Sequence, residues 1–360
     1  MRLGNGDKAS TRDHGEREWA RLVVRKVRWG VLSTANIGRV AVIPAIQLSN
    51  NGELVAVASR DARKARDFAS ELGVPASYGS YEALISAKDV DAVYIPLPNS
   101  LHREWTIRAA EAGKHILCEK PLAMNAKECA EMEDAARLND VKLMEAFMYR
   151  FHPRTLKVFE LVRGKVLGDL RLIHSAFSFC LTSPTDIRLQ PELGGGSLMD
   201  VGCYCVNISR MIAAQNPMEV QAYAKWGVTG VDEQMACSLR FANGLLAQFD
   251  CGFVLSHRQF YQVVGTKGVL DVPAAFTPGT SNTMIRQEEE RNEVLHQIPG
   301  DDEYRLMVEY FSSCVLNNEP PRYPTADAAA NMRVIDALYR SARNDGRPEQ
   351  VFGSTTSEIL

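Results

Sequence analysis

Val27-Arg28-Trp29-Gly30-Val31-Leu32-Ser33-Thr34-Ala35-Asn36-Ile37-Gly38 is the stretch that decides the fold of this chain. An apolar run of strand length gives way to six residues suited to a tight turn, and a helix follows over 39–48. Strand, turn and helix in that order open a β-α-β unit. A dinucleotide's pyrophosphate belongs at such a turn, because the helix N-terminus offers free N–H groups and the positive end of its dipole. The usual fingerprint puts glycine at three places: for the turn itself, for close approach of the pyrophosphate and for helix packing. Here Ser33 and Ala35 take the first two places and only Gly38 remains. Small side chains still let the backbone come close to a phosphate. By itself the stretch fits a nucleotide turn or an ordinary strand-helix connection equally well.

Outward from it the alternation continues. A second strand over 54–58 ends in Ser59-Arg60, with Arg63 and Lys64 on the helix behind. NAD-specific sites place an acid here for the ribose 2′-hydroxyl. A hydroxyl followed by a guanidinium suits a 2′-phosphate instead, which favours NADP over NAD; the plain alternative is a solvated helix start. Helices over 81–87, 102–112 and 125–139 alternate with strands over 92–95, 114–118 and 142–145. That spacing predicts parallel β-α-β units with right-handed crossovers.

Past Ala146 the pattern changes. A helix over 154–163 is followed by strands over 170–181, 219–226, 234–241, 245–253, 259–264, 269–272 and 293–298. Strands in such number without alternating helices predict a mostly antiparallel sheet. Helices over 302–316 and 325–342 close the chain. The expected fold class is α/β, a doubly wound Rossmann domain joined to an α+β domain. The expected divisions are a polar arm over 1–26 (with room for a short helix over 18–24), a dinucleotide-binding domain over 27–148, a second domain over 149–345 and a tail over 346–360.

Composition sets bounds on function. A chain of 360 residues has room for about two domains with full cores. With 46% apolar and 24% charged residues and a net charge of −3, nothing argues for a nucleic-acid or membrane partner. No apolar stretch is long enough to span a bilayer, and residues 1–26 lack the apolar core of a signal peptide. Eight cysteines are scattered, without a Cys-x-x-Cys pair, and read as buried free thiols of a cytoplasmic protein.

Two further stretches carry chemistry. Cys118-Glu119-Lys120-Pro121 follows the strand over 114–118, and Pro121 should stop that strand, since it cannot donate to a ladder. Lys120 is thereby left at a carboxyl end of the sheet, where open α/β sheets bind ligands. Pro96-Leu97-Pro98-Asn99 ends another strand, and His102 follows it, free to serve a ligand or merely its own helix. The second stretch is Asp186-Ile187-Arg188, then Gly194-Gly195-Gly196-Ser197-Leu198-Met199-Asp200-Val201-Gly202-Cys203-Tyr204. Ser197 is placed to cap the next helix, on which Asp200 and Tyr204, four apart, share a face. A tyrosine near its ordinary pKa of about 10 is a poor base at neutrality, and a nearby ammonium would favour phenolate. Lys120 and Tyr204 thus read as a pair that moves a hydroxyl proton; the plain readings are a surface lysine and a core tyrosine. Cys203 and Cys205, without a matching histidine pair, make a poor zinc site, and no metal is expected.

Over about residues 27–347 the chain resembles the glucose–fructose oxidoreductase / inositol dehydrogenase (Gfo/Idh/MocA) family. The resemblance is carried by Cys118-Glu119-Lys120-Pro121-Leu122, by Pro96-Leu97-Pro98-Asn99 and by the three glycines leading to Asp200 and Tyr204. It is strongest toward the branch of dimeric dihydrodiol dehydrogenases, NADP-dependent xylose dehydrogenases and sugar ketoreductases. It implies a Rossmann domain, a second domain on a large open sheet, and assembly into a homodimer or homotetramer through that sheet. It implies hydride transfer between NADP(H) and a sugar or polyol carbon, with Tyr204 as proton donor or acceptor, Lys120 beside it and Asp200 orienting a hydroxyl. It further implies a cofactor set of Ser33, Thr34, Ala35, Asn36, Ile37, Ser59, Arg60, Pro96, Leu97, Asn99, His102, Glu119 and Lys120, and a substrate set of Arg150, His152 and Arg188. A trans-dihydrodiol dehydrogenase and a non-catalytic nucleotide-sensing regulator of the same fold are the alternatives.

Overall fold

Strands whose residues are buried on both faces must lie inside a sheet covered on both sides, and Val93-Tyr94-Ile95 and Ile116-Leu117-Cys118 are of that kind, each residue 0% exposed. In the computed structural model, which describes residues 25–289 and 292–351, they belong to a six-stranded parallel sheet. Its strands are β1 (Val27–Leu32), β2 (Gly52–Ala58), β3 (Ala76–Tyr78), β4 (Ala92–Ile95), β5 (His115–Cys118) and β6 (Leu143–Glu145). Their spatial order is β3-β2-β1-β4-β5-β6, with every neighbouring pair parallel. The order reverses between β1 and β4, which opens a crevice at the carboxyl ends of those strands. Helices α1 (Ile43–Leu48), α2 (Ala62–Leu72), α3 (Tyr81–Ile85), α4 (His102–Glu111) and α5 (Ala126–Leu138) connect them.

The rest of the chain builds a nine-stranded sheet. After α6 (Pro153–Arg163) come β7 (Leu170–Cys180), the buried helix α7 (Cys203–Ala213), β8 (Glu219–Trp226), β9 (Asp232–Arg240), β10 (Leu246–Gly252), β11 (Val254–Gly265), β12 (Val269–Pro273), β13 (Thr283–Glu289) and β14 (Asn292–Ile298). Helices α8 (Glu303–Asn317) and α9 (Thr325–Arg343) and a short β15 (Glu349–Gln350) complete it. The order is β14-β13-β12-β11-β7-β10-β9-β8-β15, antiparallel throughout except where β10 runs parallel to β7. Ile173, Val220, Met235, Phe249, Tyr261, Leu270 and Ile285 bury one face, against which α7 lies. The other face carries the ion pairs Arg258–Asp250, Arg286–Asp271 and Arg240–Glu219. This alternation is what an antiparallel sheet with one covered face requires. The expected α/β class is therefore borne out.

Some features departed from expectation. β3 is three residues long and β13 reads Thr-Met-Ile-Arg-Gln-Glu-Glu, too polar to announce a strand; it is held by β12 and β14 on either side. Part of the expected tail pairs with β8 as β15. α8 returns to the first sheet, where Trp29 Nε1 donates to Ser312 Oγ at 3.2 Å and packs on Phe311. The helix expected over 18–24, and nearly all of the expected arm, lie outside the described residues. Among the described residues, no helix is long and apolar enough to cross a membrane.

Candidate active site

The β1 turn comes first. Ser33, where the fingerprint has its first glycine, holds φ at 140°, a region other residues avoid. Its Oγ accepts from Ala35 N–H at 2.9 Å and donates to Pro96 O at 3.4 Å, so the side chain braces the turn that its backbone strains to make. A π turn over Gly38–Val42 leads into α1. Ala35, Asn36 and Ile37 face a cleft of about 520 Å³, while Ser33 and Thr34 do not line it. At the end of β2, Ser59 is buried with its Oγ accepting from Asp61 N–H, and Arg60 is exposed; neither lines the cleft.

The β4 and β5 ends form the next wall. Pro96, Leu97, Pro98 and Asn99 line the cleft, and Asn99 Nδ2 donates to Gly194 O at 2.8 Å. His102 is fully buried away from it, its ring nitrogens 2.8 Å from Leu97 O and 2.9 Å from Pro121 O. Burial lowers its pKa. His102 thus braces two cleft walls against each other and cannot itself touch a ligand in the cleft. Glu119 and Lys120 both face the cleft. Glu119 accepts from Tyr94 OH at 2.6 Å, and burial holds its carboxyl above the usual range.

Lys120 meets the glycine-rich segment across the cleft. Its Nζ donates to Asp200 Oδ1 at 2.9 Å and to Asp200 O at 2.8 Å. Arg188 Nε donates to Asp200 Oδ2 at 2.7 Å and is itself held by Asp186. Burial alone would raise the Asp200 carboxyl, but the two cations override it and bring it down to about 2. Asp200 sits in a π turn over Leu198–Gly202, a feature frequent at functional sites, and Tyr204 lies at the start of α7. Ser197 does not cap this helix: its Oγ donates to Asp232 instead, and Asp232 accepts the Leu198 N–H.

The expected lowering of the Tyr204 pKa by Lys120 is outweighed by burial. The ammonium stands over the ring, 5.0 Å from its centroid, rather than at the hydroxyl, and its charge is balanced by Asp200. Phe147, Tyr149, Phe177 and Phe276 enclose the ring, and the hydroxyl's one hydrogen-bond contact among the described residues is Met148 Sδ at 3.5 Å. Burial pushes the phenol well above its ordinary pKa, so Tyr204 stays protonated.

Two residues expected in the substrate pocket do not reach it. Arg150, 1% exposed, donates to Asp327 at 2.8 Å and to Asn207 at 2.9 Å within a buried network. A buried guanidinium must be paired, and this pairing turns it into the core. His152 is fully buried at the start of α6, where its Nδ1 accepts from Arg154 N–H; burial and then the Arg154 charge lower it to about 4. Conversely Met148, Thr277 and Tyr304 line the cleft unforeseen, and Ile187 of the Asp186–Arg188 stretch joins them. Tyr304 comes from the first turn of α8, a hundred residues past Tyr204, and no local signal marked it.

A nicotinamide dinucleotide fits this arrangement on three grounds. The cleft starts at a helix-opening turn with backbone close to the surface, it ends among proton-holding groups, and Arg60, Arg63 and Lys64 stand exposed at the end of β2.

Residues 27–147 match the GFO/IDH/MocA model of an oxidoreductase family with an NAD-binding Rossmann fold, and residues 155–271 match the model of the GFO/IDH/MocA C-terminal domain. The chain is 41% identical to D-xylose 1-dehydrogenase (NADP(+)) 2 of Haloferax volcanii, over 89% of this chain and 99% of that one. It is 33% identical to the trans-1,2-dihydrobenzene-1,2-diol dehydrogenase of Xenopus tropicalis, over 86% and 96%. A 3-ketoreductase from Actinomadura kijaniata, solved with NADP and TDP-benzene, superposes with a TM-score of 0.84 at 30% identity, covering 88% of this chain and 98% of that one.

Proposed function

The chain belongs to the GFO/IDH/MocA oxidoreductase family, and from that premise we propose that it is an NADP(H)-dependent oxidoreductase interconverting hydroxyl and carbonyl at a carbon of a sugar or polyol. The observation that carries this is the meeting of Lys120, Asp200 and Tyr204 in one cleft at the carboxyl ends of the parallel sheet. NADP, when bound, supplies or accepts the hydride. Ser33 to Ile37 would shape the turn for its pyrophosphate, Ser59 and Arg60 would hold the 2′-phosphate, and Pro96, Leu97, Asn99 and Glu119 would line its path. Tyr204, kept as a neutral phenol, donates its proton to the carbonyl oxygen during reduction and recovers one during oxidation. Lys120, kept charged by Asp200, polarises that oxygen, and Arg188 with Asp200 orients neighbouring hydroxyls.

The Actinomadura ketoreductase has also been solved with one lysine and, separately, one tyrosine substituted, and their sequence separation equals that of Lys120 and Tyr204. The test is NADPH oxidation with carbonyl substrates and NADP+ reduction with aldoses, polyols and aromatic trans-diols. Tyr204→Phe should lower kcat by about 10²- to 10⁴-fold with little change in NADPH affinity. Unchanged turnover would remove the proton role. Preference for aromatic diols would favour the dihydrodiol reading, to which the Xenopus relative also lends support. We further infer a cytoplasmic homo-oligomer joined through the uncovered face of the nine-stranded sheet.

A further inference from the structure

Asp232 opens β9, is 1% exposed and does not line the cleft, yet three donors from two other segments converge on its carboxylate. Oδ2 accepts from Ser197 Oγ at 2.8 Å and from Leu198 N–H at 2.7 Å, and Oδ1 accepts from Tyr339 OH on α9 at 2.8 Å. Leu198 begins the helical segment that carries Asp200 and Tyr204. The opening N–H groups of a helix have no partner within it, and an anion there also meets the positive end of its dipole. The glycine loop is shaped to admit this anion. At Gly196, with φ at 122°, a Cβ would fall 2.2 Å from Asp232 Oδ1, so only glycine leaves the space.

The consequence reaches the cleft through main chain. Lys120 Nζ is held as much by the carbonyl of Asp200 as by its carboxylate, so the placing of the ammonium depends on where the backbone of this segment lies. The segment's start has no cap from its own Ser197. Asp232 accepts its first N–H, that of Leu198, in place of a cap.

We propose that Asp232 is a positioning residue for the reaction: it anchors the start of the segment so that Asp200 meets Lys120 and Tyr204 faces the cleft. This rests on the oxidoreductase function given above. Asn at 232 keeps the size and one acceptor but loses the charge, and Tyr339→Phe removes a single donor from the far side of the carboxylate.

The test compares the full-length wild type, Asp232→Asn and Tyr339→Phe by steady-state kinetics on the carbonyl substrate the wild type reduces, by NADPH fluorescence titration and by thermal unfolding. Asp232→Asn should lower kcat by about 10- to 100-fold, as small misplacements of reacting groups do, with NADPH affinity kept. Tyr339→Phe should lower kcat by a smaller factor in a protein that is fully folded at the assay temperature. Wild-type kcat in folded Asp232→Asn overturns the proposal, and so does a loss that only tracks the unfolded fraction or falls equally on NADPH binding. Should Asp232→Asn fail to fold, unchanged kcat in Tyr339→Phe overturns it. A wild type without turnover in either direction on any sugar, polyol or diol sinks the oxidoreductase function and this role together; an active wild type with indifferent variants sinks this role alone.

Discussion

Asp200 balances the charges of the cleft. It meets Lys120 and Arg188 at once, and the pair hold it at about 2 against the opposing effect of burial. A carboxyl lowered from its unfolded value stabilises the fold fully above the ordinary aspartate range, and that contribution fades as pH falls through about 2. Asp200→Asn should therefore lose on the order of 2 kcal/mol at neutral pH, and its deficit against wild type should shrink under acid. Urea unfolding at neutral pH and at pH values below the ordinary aspartate range checks this; a deficit independent of pH refutes the ion-pair account. Tyr204 makes the complementary point. Sequence spacing brought Lys120 and Tyr204 together correctly as neighbours, but the direction of the pKa shift was set first by how deeply the phenol is buried and then by the groups around it. No spacing rule contains either fact.

Among elements, the β1 turn shows how a fingerprint can lose its glycines and keep its shape. Ser33 adopts the positive φ that glycine would supply and offsets part of the strain with its own hydroxyl on Ala35 N–H. The end of β2 is the element that should select the cofactor. Arg60 is exposed there, beside Arg63 and Lys64 on the first turn of α2. Arg60→Asp should reduce the NADPH-over-NADH preference in kcat/KM by about 10- to 100-fold, the worth of one charge-assisted phosphate contact. An unaltered preference would remove Arg60 from the cofactor's company. The same scale explains His152 and Ser197. His152, expected in the substrate set, caps its own helix, whereas Ser197, expected to cap, yields that role to a carboxylate from β9.

At the scale of the molecule, the two sheets are tied together by elements distant in sequence. α8 packs Phe311 and Ser312 on Trp29 of β1, and Tyr304 from the same helix completes the cleft. The uncovered face of the large sheet mixes ion pairs with exposed Tyr223 and Leu246, 60% and 46% accessible. If it joins subunits, light scattering after gel filtration should give a multiple of 39.9 kDa, and Leu246→Glu should shift the population toward monomer with little change in subunit fold. A wild-type monomer, or an oligomer indifferent to the change, refutes assembly through this face.

The sequence by itself determined the alternating strands and helices of the first sheet, the change to antiparallel strands after it, and the three stretches that meet at the cleft. These are local properties: apolar periodicity, turn-forming residues and a proline at a strand end act within a few positions of themselves. Tertiary structure alone decided that Arg150 turns inward to Asp327, that Tyr304 enters the cleft from α8, that β13 is a strand despite its polar residues, and that Tyr204 stays protonated. Each of these depends on partners far away in the chain. Burial and charge compensation are sums over such partners, and they exist only once the chain has folded.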